Sequence, residues 1–171
     1  MSKEQAATTH PEMMTSADPE VSAIGIVREF DATADKVFWA HTDPEILVKW
    51  LGPRDVDMEV DFWDCRRGGS YRYLHRRDGE DGPEEYAFHG CFHEVRPDRI
   101  VQTFTYEGYP DGVSLDTLIL EDLEGGRTRL TVNSIVESFE SRDMILASGM
   151  EKGVVEGYEQ LDELLAQEDD R

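Results

Sequence analysis

Three polar side chains sit within rows of apolar residues on predicted strands, and they are the first candidates for chemistry. By the two-residue period of a strand, His75 shares a face with two tyrosines, Asp116 with two leucines, and Ser134 with a leucine and a valine. A polar group buried on such a face needs a hydrogen-bond partner, so the three could form a cluster that orients a bound molecule. Alternatively, they lie near strand ends and reach water. The apolar residues of these rows and of the neighbouring strands are Met58, Val60, Tyr71, Tyr73, Phe104, Leu118, Leu120, Leu130 and Val132.

A second pattern, H-x-C-x-H, places His89, Cys91 and His93 on one face of a single predicted strand. Imidazole and thiolate are the ligands that zinc prefers. One strand seldom supplies three ligands to one ion, however, and the chain offers only His75 as a further candidate. A row of packed side chains is therefore the preferred interpretation, and neither a metal nor a cofactor is predicted.

The common catalytic motifs are absent from the sequence. It contains no G-x-S-x-G nucleophile elbow, no phosphate-binding P-loop, no G-x-G-x-x-G and no H-E-x-x-H. The many carboxylates fall on predicted solvated faces, so the sequence singles out no acid–base pair. No catalytic residue is predicted from these patterns alone.

Charge is the strongest feature of the composition. The 171 residues include 38 Asp and Glu against 17 Lys and Arg, a formal net charge of −21. An acid-rich, lysine-poor surface is typical of a protein that stays soluble in concentrated salt, so a salt-tolerant source is expected. The same charge repels nucleic acid and anionic membranes.

Length and hydropathy predict one domain in the cytoplasm. No apolar stretch approaches the roughly 20 residues that span a bilayer, and the N-terminal residues carry no apolar signal core. Cys65 and Cys91 are too few for a disulfide framework and are expected to be reduced, packed thiols.

The predicted elements follow a segregated α+β order. Residues 1–20 are predicted to be a disordered tail, and residues 21–168 a single domain. The domain begins with a strand over 21–30 and two short helices, over 34–41 and from Pro44 to Gly52. The later strands are predicted over 56–62, 70–77, 86–95, 99–107, 114–122 and 127–136, before a long helix over 141–167.

The long helix carries two stripes. Its apolar stripe steps by three and four residues and comprises Ala147, Met150, Val154, Tyr158, Leu161 and Leu165. Gly149, Gly153 and Gly157 recur every four residues and leave a bare ridge, although glycine weakens a helix by roughly 1 kcal/mol relative to alanine. Such a ridge allows the close approach of a neighbouring segment or a ligand.

Several short motifs in order resemble a known superfamily. They are Thr42-Asp43-Pro44-Glu45, Trp50-Leu51-Gly52-Pro53, Asp64-Cys65-Arg66-Arg67-Gly68-Gly69, Gly90-Cys91-Phe92-His93-Glu94-Val95, Arg99-Ile100-Val101-Gln102-Thr103-Phe104 and the helix Gly153 to Leu161. Together they resemble the START-like (SRPBCC) superfamily, in the branch of the Hsp90 ATPase activator homologues. The resemblance covers residues 23–165. It implies a helix-grip fold, in which a curved antiparallel sheet of six or seven strands wraps around the long C-terminal helix.

The same resemblance implies a cavity between sheet and helix, closed at one end by the short helices. We therefore expect a binding protein for a small apolar or aromatic ligand, although a fully packed core is the alternative. The expected ligand-binding residues are Tyr71, Tyr73, His75, Phe104, Asp116, Leu118, Ser134, Val154 and Tyr158. Many family members carry a tryptophan where Val154 stands and a second aromatic where Leu51 stands, and both departures remove bulk near this cavity.

Two further functions remain open at the level of sequence. One is a co-chaperone-like interaction domain, which the family name suggests. The other is a small-molecule enzyme of cyclase or hydrolase type that uses His75 or Asp116 to abstract a proton, as in cyclase-like relatives. A homodimer that pairs through exposed sheet edges is a further candidate assembly.

Overall fold

The computed structural model describes residues 13–169, which form one antiparallel sheet of eight strands and four helices. The strands are β1 (Met13–Ala17), β2 (Ala23–Phe30), β3 (Asp57–Trp63), β4 (Ser70–Gly79), β5 (Gly82–Arg96), β6 (Arg99–Tyr106), β7 (Ser114–Leu123) and β8 (Arg127–Ile135). The helices are α1 (Ala34–Thr42), α2 (Pro44–Leu47), α3 (Phe139–Ala147) and α4 (Met150–Asp169).

The strand order β1-β2-β8-β7-β6-β5-β4-β3 brings the early strand β2 beside the last strand, β8. All other neighbours are joined by hairpins, as the Gly-rich turn at Gly125-Gly126 predicts for β7 and β8. The curved sheet faces α4 on one side, so the predicted α+β class and helix-grip arrangement are confirmed.

The sheet has one strand more than predicted, because β1 lies in what the sequence indicated to be a disordered tail. Met13 to Ala17 pair antiparallel with β2, and the Met13 side chain is only 2% exposed. A five-residue segment with two adjacent methionines has no clear period, so its pairing depends on the exposed edge of β2. The prediction of disorder is therefore wrong for this segment, and residues 1–12 lie outside the described residues.

The predicted long helix is divided into α3 and α4. Gly149 adopts a φ of +82° between them, a conformation that L side chains rarely adopt. Ser138 caps the start of α3 and accepts a hydrogen bond from the Ser141 backbone N–H at 3.0 Å. The apolar stripe is buried only in the C-terminal part of α4, where Leu161 is 0% and Leu165 3% exposed.

The Trp50-Leu51-Gly52-Pro53 motif is structural. The Trp50 indole is 3% exposed and donates to the backbone oxygen of Ala40 at 2.9 Å. This segment lies against the glycine ridge of α4, where Gln160 Nε2 donates to the Gly52 oxygen at 2.9 Å. The neighbour that approaches the ridge is thus the chain's own loop, not a ligand.

The two ridge glycines within α4 are expected to respond in opposite ways to alanine. A Cβ on Gly153 would lie 3.4 Å from Pro53 Cγ, an ordinary contact, whereas one on Gly157 would lie 3.2 Å from the Trp50 oxygen and the Gly52 nitrogen. Gly153→Ala should gain up to about 1 kcal/mol of helix propensity. Gly157→Ala should instead lose about 1–2 kcal/mol, because backbone atoms must move. Urea unfolding of the two variants tests this difference, and equal stabilisation by both would contradict it.

Candidate functional site

The inner face of the sheet, the side that faces α4, is closed at one end and partly open at the other. Under the C-terminal half of α4, Leu161 and Leu165 pack with Leu130 and Phe30, and none of these side chains is more than 3% exposed. Under the N-terminal half of α4, Val154 and the strand residues that face it remain partly exposed. These strand residues are Phe104, Asp116, Leu118, Val132 and Ser134. Side chains of the inner face are therefore less completely buried towards the N-terminal half of α4, which we call the open half.

Asp116 lies at the centre of this open half. Its Cα pairs across the sheet with Gln102 of β6 and Ser134 of β8, and we call these three residues the inner polar row. The Ser134 hydroxyl donates to Asp116 Oδ1, and Ser114 supplies a second side-chain hydrogen bond. Burial raises the pKa of Asp116 above its ordinary value, and the two serine hydrogen bonds only partly oppose this.

The sequence prediction included Asp116 and Ser134 but missed Gln102 and Ser114. The two-residue period could have found both, because Gln102 is in step with Phe104 and Ser114 is in step with Asp116.

Aromatic rings surround the inner polar row. Tyr71 and Tyr73 of β4 and Tyr158 of α4 all have pKa values raised by burial, and the Asp116 charge raises each of them further. The Tyr71 hydroxyl donates to the Thr103 backbone oxygen at 2.6 Å, which fixes its ring. The three tyrosines thus lie within electrostatic reach of Asp116 from both the sheet and the helix.

A ladder of stacked rings extends from these tyrosines towards the exposed surface. Phe88 stacks on Tyr73 at a centroid distance of 5.2 Å and on Phe104 at 5.4 Å, and it contacts Tyr106 at 5.3 Å. Tyr106 is 38% exposed, so the ladder ends at solvent. The ladder provides an aromatic wall to the open half of the inner face.

His75 does not join Asp116. Its ring is 8% exposed and lies between Tyr73 and Phe88, with centroid distances of 5.2 and 5.3 Å. Burial lowers the pKa of His75 to about 4, and a backbone hydrogen bond with Leu51 is the opposing influence. Strands β5 and β6 separate it from Asp116, so the structure does not assemble the proton-abstracting pair that the enzyme interpretation would need.

His41 is a half-buried histidine whose Nε2 atom is fully buried, and the sequence analysis missed it. Its Nδ1 lies 2.7 Å from the backbone oxygen of Val37, and burial lowers its pKa to about 4. It borders a gap against Leu118, Leu120 and Leu130 that is too small to hold a water molecule. The spacing could have predicted this position, because His41 lies one helical turn after Val37 and therefore shares the buried face of α1.

The two histidines share one unusual property. In both His41 and His75, Nε2 is buried and has no hydrogen-bond partner among residues 13–169. The neutral ring is therefore the form that this packing accommodates.

The H-x-C-x-H residues lie on the outer face and are exposed. His89 Nδ1 is 3.0 Å from Glu107 Oε1, and His75 points to the opposite face and cannot complete a ligand set. No group of three or more histidine, cysteine or acidic side chains within residues 13–169 is arranged to hold a metal ion.

Comparison with known proteins identifies the family. A family model described as "Activator of Hsp90 ATPase homolog 1-like protein" matches residues 31–166. The chain belongs to this family. As an AHSA1-like protein, it shares the grip of sheet and helix described above with proteins of the wider SRPBCC type.

Solved structures of bacterial proteins resemble the chain over most of their length. A protein from Arthrobacter aurescens is 31% identical, with a TM-score of 0.78 over 90% of this chain and 91% of that chain. A protein from Mycobacterium smegmatis is 28% identical, with a TM-score of 0.77 over 90% and 96% of the two chains. The AHSA1 protein from Silicibacter pomeroyi, 22% identical over 85% of this chain and 99% of that one, has a TM-score of 0.67 and supports the fold alone.

The names of these three structures state no activity that could be compared with this chain. No curated protein matches the sequence significantly. Within residues 13–169, none of the helices combines the length and the hydropathy that a membrane crossing requires.

Proposed function

We propose that the protein binds a small apolar or aromatic molecule between the inner face of the sheet and the N-terminal half of α4. The observation that supports this most strongly is the position of Asp116, a carboxylate held among aromatic and aliphatic side chains by serine hydroxyls. Burying a carboxylate costs folding free energy, and such groups are concentrated at functional sites. Asp116 and Ser134 would anchor one polar group of the ligand, and the aromatic ladder would contact the rest.

The other residues expected at the site have different roles in this proposal. Phe104, Leu118 and Val154 would form apolar walls of the open half. Tyr71, Tyr73 and Tyr158 would border its closed end, and Tyr71 is fixed by its own hydrogen bond. His75 lies behind Tyr73 and would support that ring.

A thermal-shift screen in high salt, beside native mass spectrometry of the purified protein, tests this proposal. Lipids, flavonoids and aromatic metabolites form the panel, and a true ligand should raise the melting temperature of the wild type. Val154→Trp should abolish the shift by filling the open half, whereas Val21→Trp, at an exposed valine, should retain it. If no compound class shifts the wild type and no bound mass is found, the proposal is wrong.

The alternatives receive less support. An enzyme that uses His75 with Asp116 would need the two groups to meet, and β5 and β6 keep them apart. For an enzyme that uses either residue alone, residues 13–169 place beside it no second acid or base that favours a particular reaction. The co-chaperone alternative has only the family description behind it, so ligand binding takes precedence.

Self-association is a second candidate property, and one observation favours it. On the outer face of strands β1, β2, β8 and β7, the charged side chains Glu29, Glu121, Arg127 and Arg129 lie at the end next to the β7–β8 hairpin. The rest of this face carries apolar and small polar side chains. Its apolar members are Met14, Val27, Leu115, Ile119 and Ile135. Two copies that each carry −21 can approach only where carboxylates are absent, so this face suits a second copy of the chain.

The sheet edge at β3 is less suited to pairing than this outer face. Asp57, Glu59 and Asp61 are all exposed along it, and such charges protect an edge strand against pairing. Sedimentation velocity in high salt should therefore show a dimer that Leu115→Glu with Ile135→Glu converts to monomer. Tyr109→Glu, in an exposed turn, is the control that should remain dimeric. A monomeric wild type at every concentration would exclude this assembly.

A further inference from the structure

The inner polar row lacks a positive charge. Within residues 13–169, Asp116 forms no ion pair with an arginine, lysine or histidine, and its side-chain hydrogen bonds come from the uncharged Ser134 and Ser114. Arg28 also lies on the inner face, where Asp162 of α4 accepts two of its hydrogen bonds. His75 lies there too, but strands β5 and β6 separate it from Asp116. A carboxylate that is largely removed from water is ordinarily paired with a cation, whereas the half-buried Asp116 is held by hydroxyl groups alone among residues 13–169.

The side chains around Asp116 are suited to a cation rather than to an anion. Phe104 is the diagonal neighbour of Asp116 on the same face of the sheet, since Ser114 pairs with Phe104 and Asp116 pairs with Gln102. Tyr73 and Tyr158 lie within reach of the Asp116 charge. Aromatic ring faces attract ammonium groups, and the attraction is greater where water is excluded.

The net charge of the whole protein also favours a cationic ligand over an anionic one. A net charge of −21 concentrates cations near the molecule and repels anions. A fatty acid or a phosphate ester would also place a like charge beside Asp116, and this would cost binding free energy. Neutral molecules would leave the carboxylate without a counter-ion.

We propose that the ligand is a hydrophobic organic cation, an amine whose ammonium group pairs with Asp116 while its apolar part lies on the aromatic ladder. This inference rests on the proposed function, because it requires that a ligand occupy the open half of the inner face. Gln102, whose side chain has no hydrogen-bond partner among residues 13–169, would accept a second ammonium hydrogen through its amide oxygen.

Three probes of one size and shape separate the ligand's charge from its hydrophobicity: 2-naphthylmethylamine, 2-naphthylmethanol and 2-naphthoate. Their dissociation constants, measured by isothermal titration calorimetry, should place the amine at least about tenfold tighter than the alcohol, and the carboxylate weakest. Asp116→Asn keeps the shape of the side chain and should remove the preference for the amine, so that the dissociation constants of the amine and the alcohol differ by less than about twofold.

Asp31→Asn is the matched control for a general charge effect. The Asp31 side chain is 86% exposed and pairs with Arg127, so this variant changes the net charge equally at a distant surface position. It should retain the preference for the amine. If the three probes bind alike, or the carboxylate binds best, the cation proposal is wrong although ligand binding stands. If none of the probes binds the wild type, the cation proposal also fails, and the broader thermal-shift panel decides on ligand binding separately.

Discussion

Asp162→Ala is expected to lower the free energy of unfolding by about 2–3 kcal/mol, because it removes the carboxylate partner of a buried guanidinium. The effect stays below that of a fully buried pair because the Asp162 side chain is 35% exposed and Arg28 Nη1 also donates to the Glu29 backbone oxygen. Asp162 on α4 accepts two hydrogen bonds from Arg28 on β2, from Nη1 to Oδ1 at 3.0 Å and from Nη2 to Oδ2 at 2.5 Å. Arg28 is 2% exposed and lies over the Phe30 ring, with its guanidinium carbon 4.7 Å from the ring centroid. Without the carboxylate, a guanidinium remains buried at the point where sheet and helix meet.

A matched variant one residue along the same helix shows what an exposed ion pair contributes. Glu163 bonds to Arg54, and the two side chains are 59% and 45% exposed. Glu163→Ala should therefore cost less than about 1 kcal/mol in urea unfolding. The double variant Arg28→Met with Asp162→Leu should recover most of the stability, because apolar residues of similar size can replace a buried pair.

Salt distinguishes the two pairs further. Added salt should remove the small effect of Glu163→Ala, since screening acts on exposed charges, and it should leave the effect of Asp162→Ala largely intact. The importance of the Arg28–Asp162 pair would be refuted if Asp162→Ala cost no more than Glu163→Ala at either salt concentration.

The sequence predicted most of the fold because its strands alternate clearly. Tyr71, Tyr73 and His75 were placed on one face by the two-residue period, and all three are buried. The same period gives no information on β1, because this strand is buried only through its pairing with β2. The break at Gly149 was visible as a glycine, but the apolar stripe on either side of it favoured one continuous helix.

The candidate site was predictable in part, through its hairpin. A turn at Glu124-Gly125-Gly126 fixes the register of β7 and β8, and that register places Asp116 opposite Ser134. No local signal pairs Arg28 with Asp162, which are 134 residues apart in sequence. Likewise, the separation of His75 from Asp116 depends on the complete strand order, which the spacing of residues within single strands does not specify.

Acidification is expected to destabilise the protein through His41 and His75. Burial lowers the pKa of each to about 4 in the folded protein, whereas an unfolded histidine titrates near about 6.5. Below the unfolded pKa, the unfolded chain binds more protons than the folded one. The stability that neutral His41 and His75 contribute is therefore complete above about pH 6.5 and is lost as the pH falls towards about 4.

The size and the assignment of this effect can both be measured. Between about pH 7 and pH 4, the charging of each histidine should lower the free energy of unfolding by up to about 3 kcal/mol, because one pKa unit corresponds to about 1.4 kcal/mol.

Other groups also titrate in acid. A notable one is Glu107, because its hydrogen bond with Arg72 lowers the pKa of Glu107 to about 2. The test is therefore the difference in urea-derived free energy of unfolding between the wild type and His41→Asn, and likewise His75→Asn. That difference should be constant above about pH 7 and shrink steadily below about pH 6.5, since only the wild type retains the titrating ring. Parallel curves over the whole range would show that the buried rings are not the acid-sensitive groups.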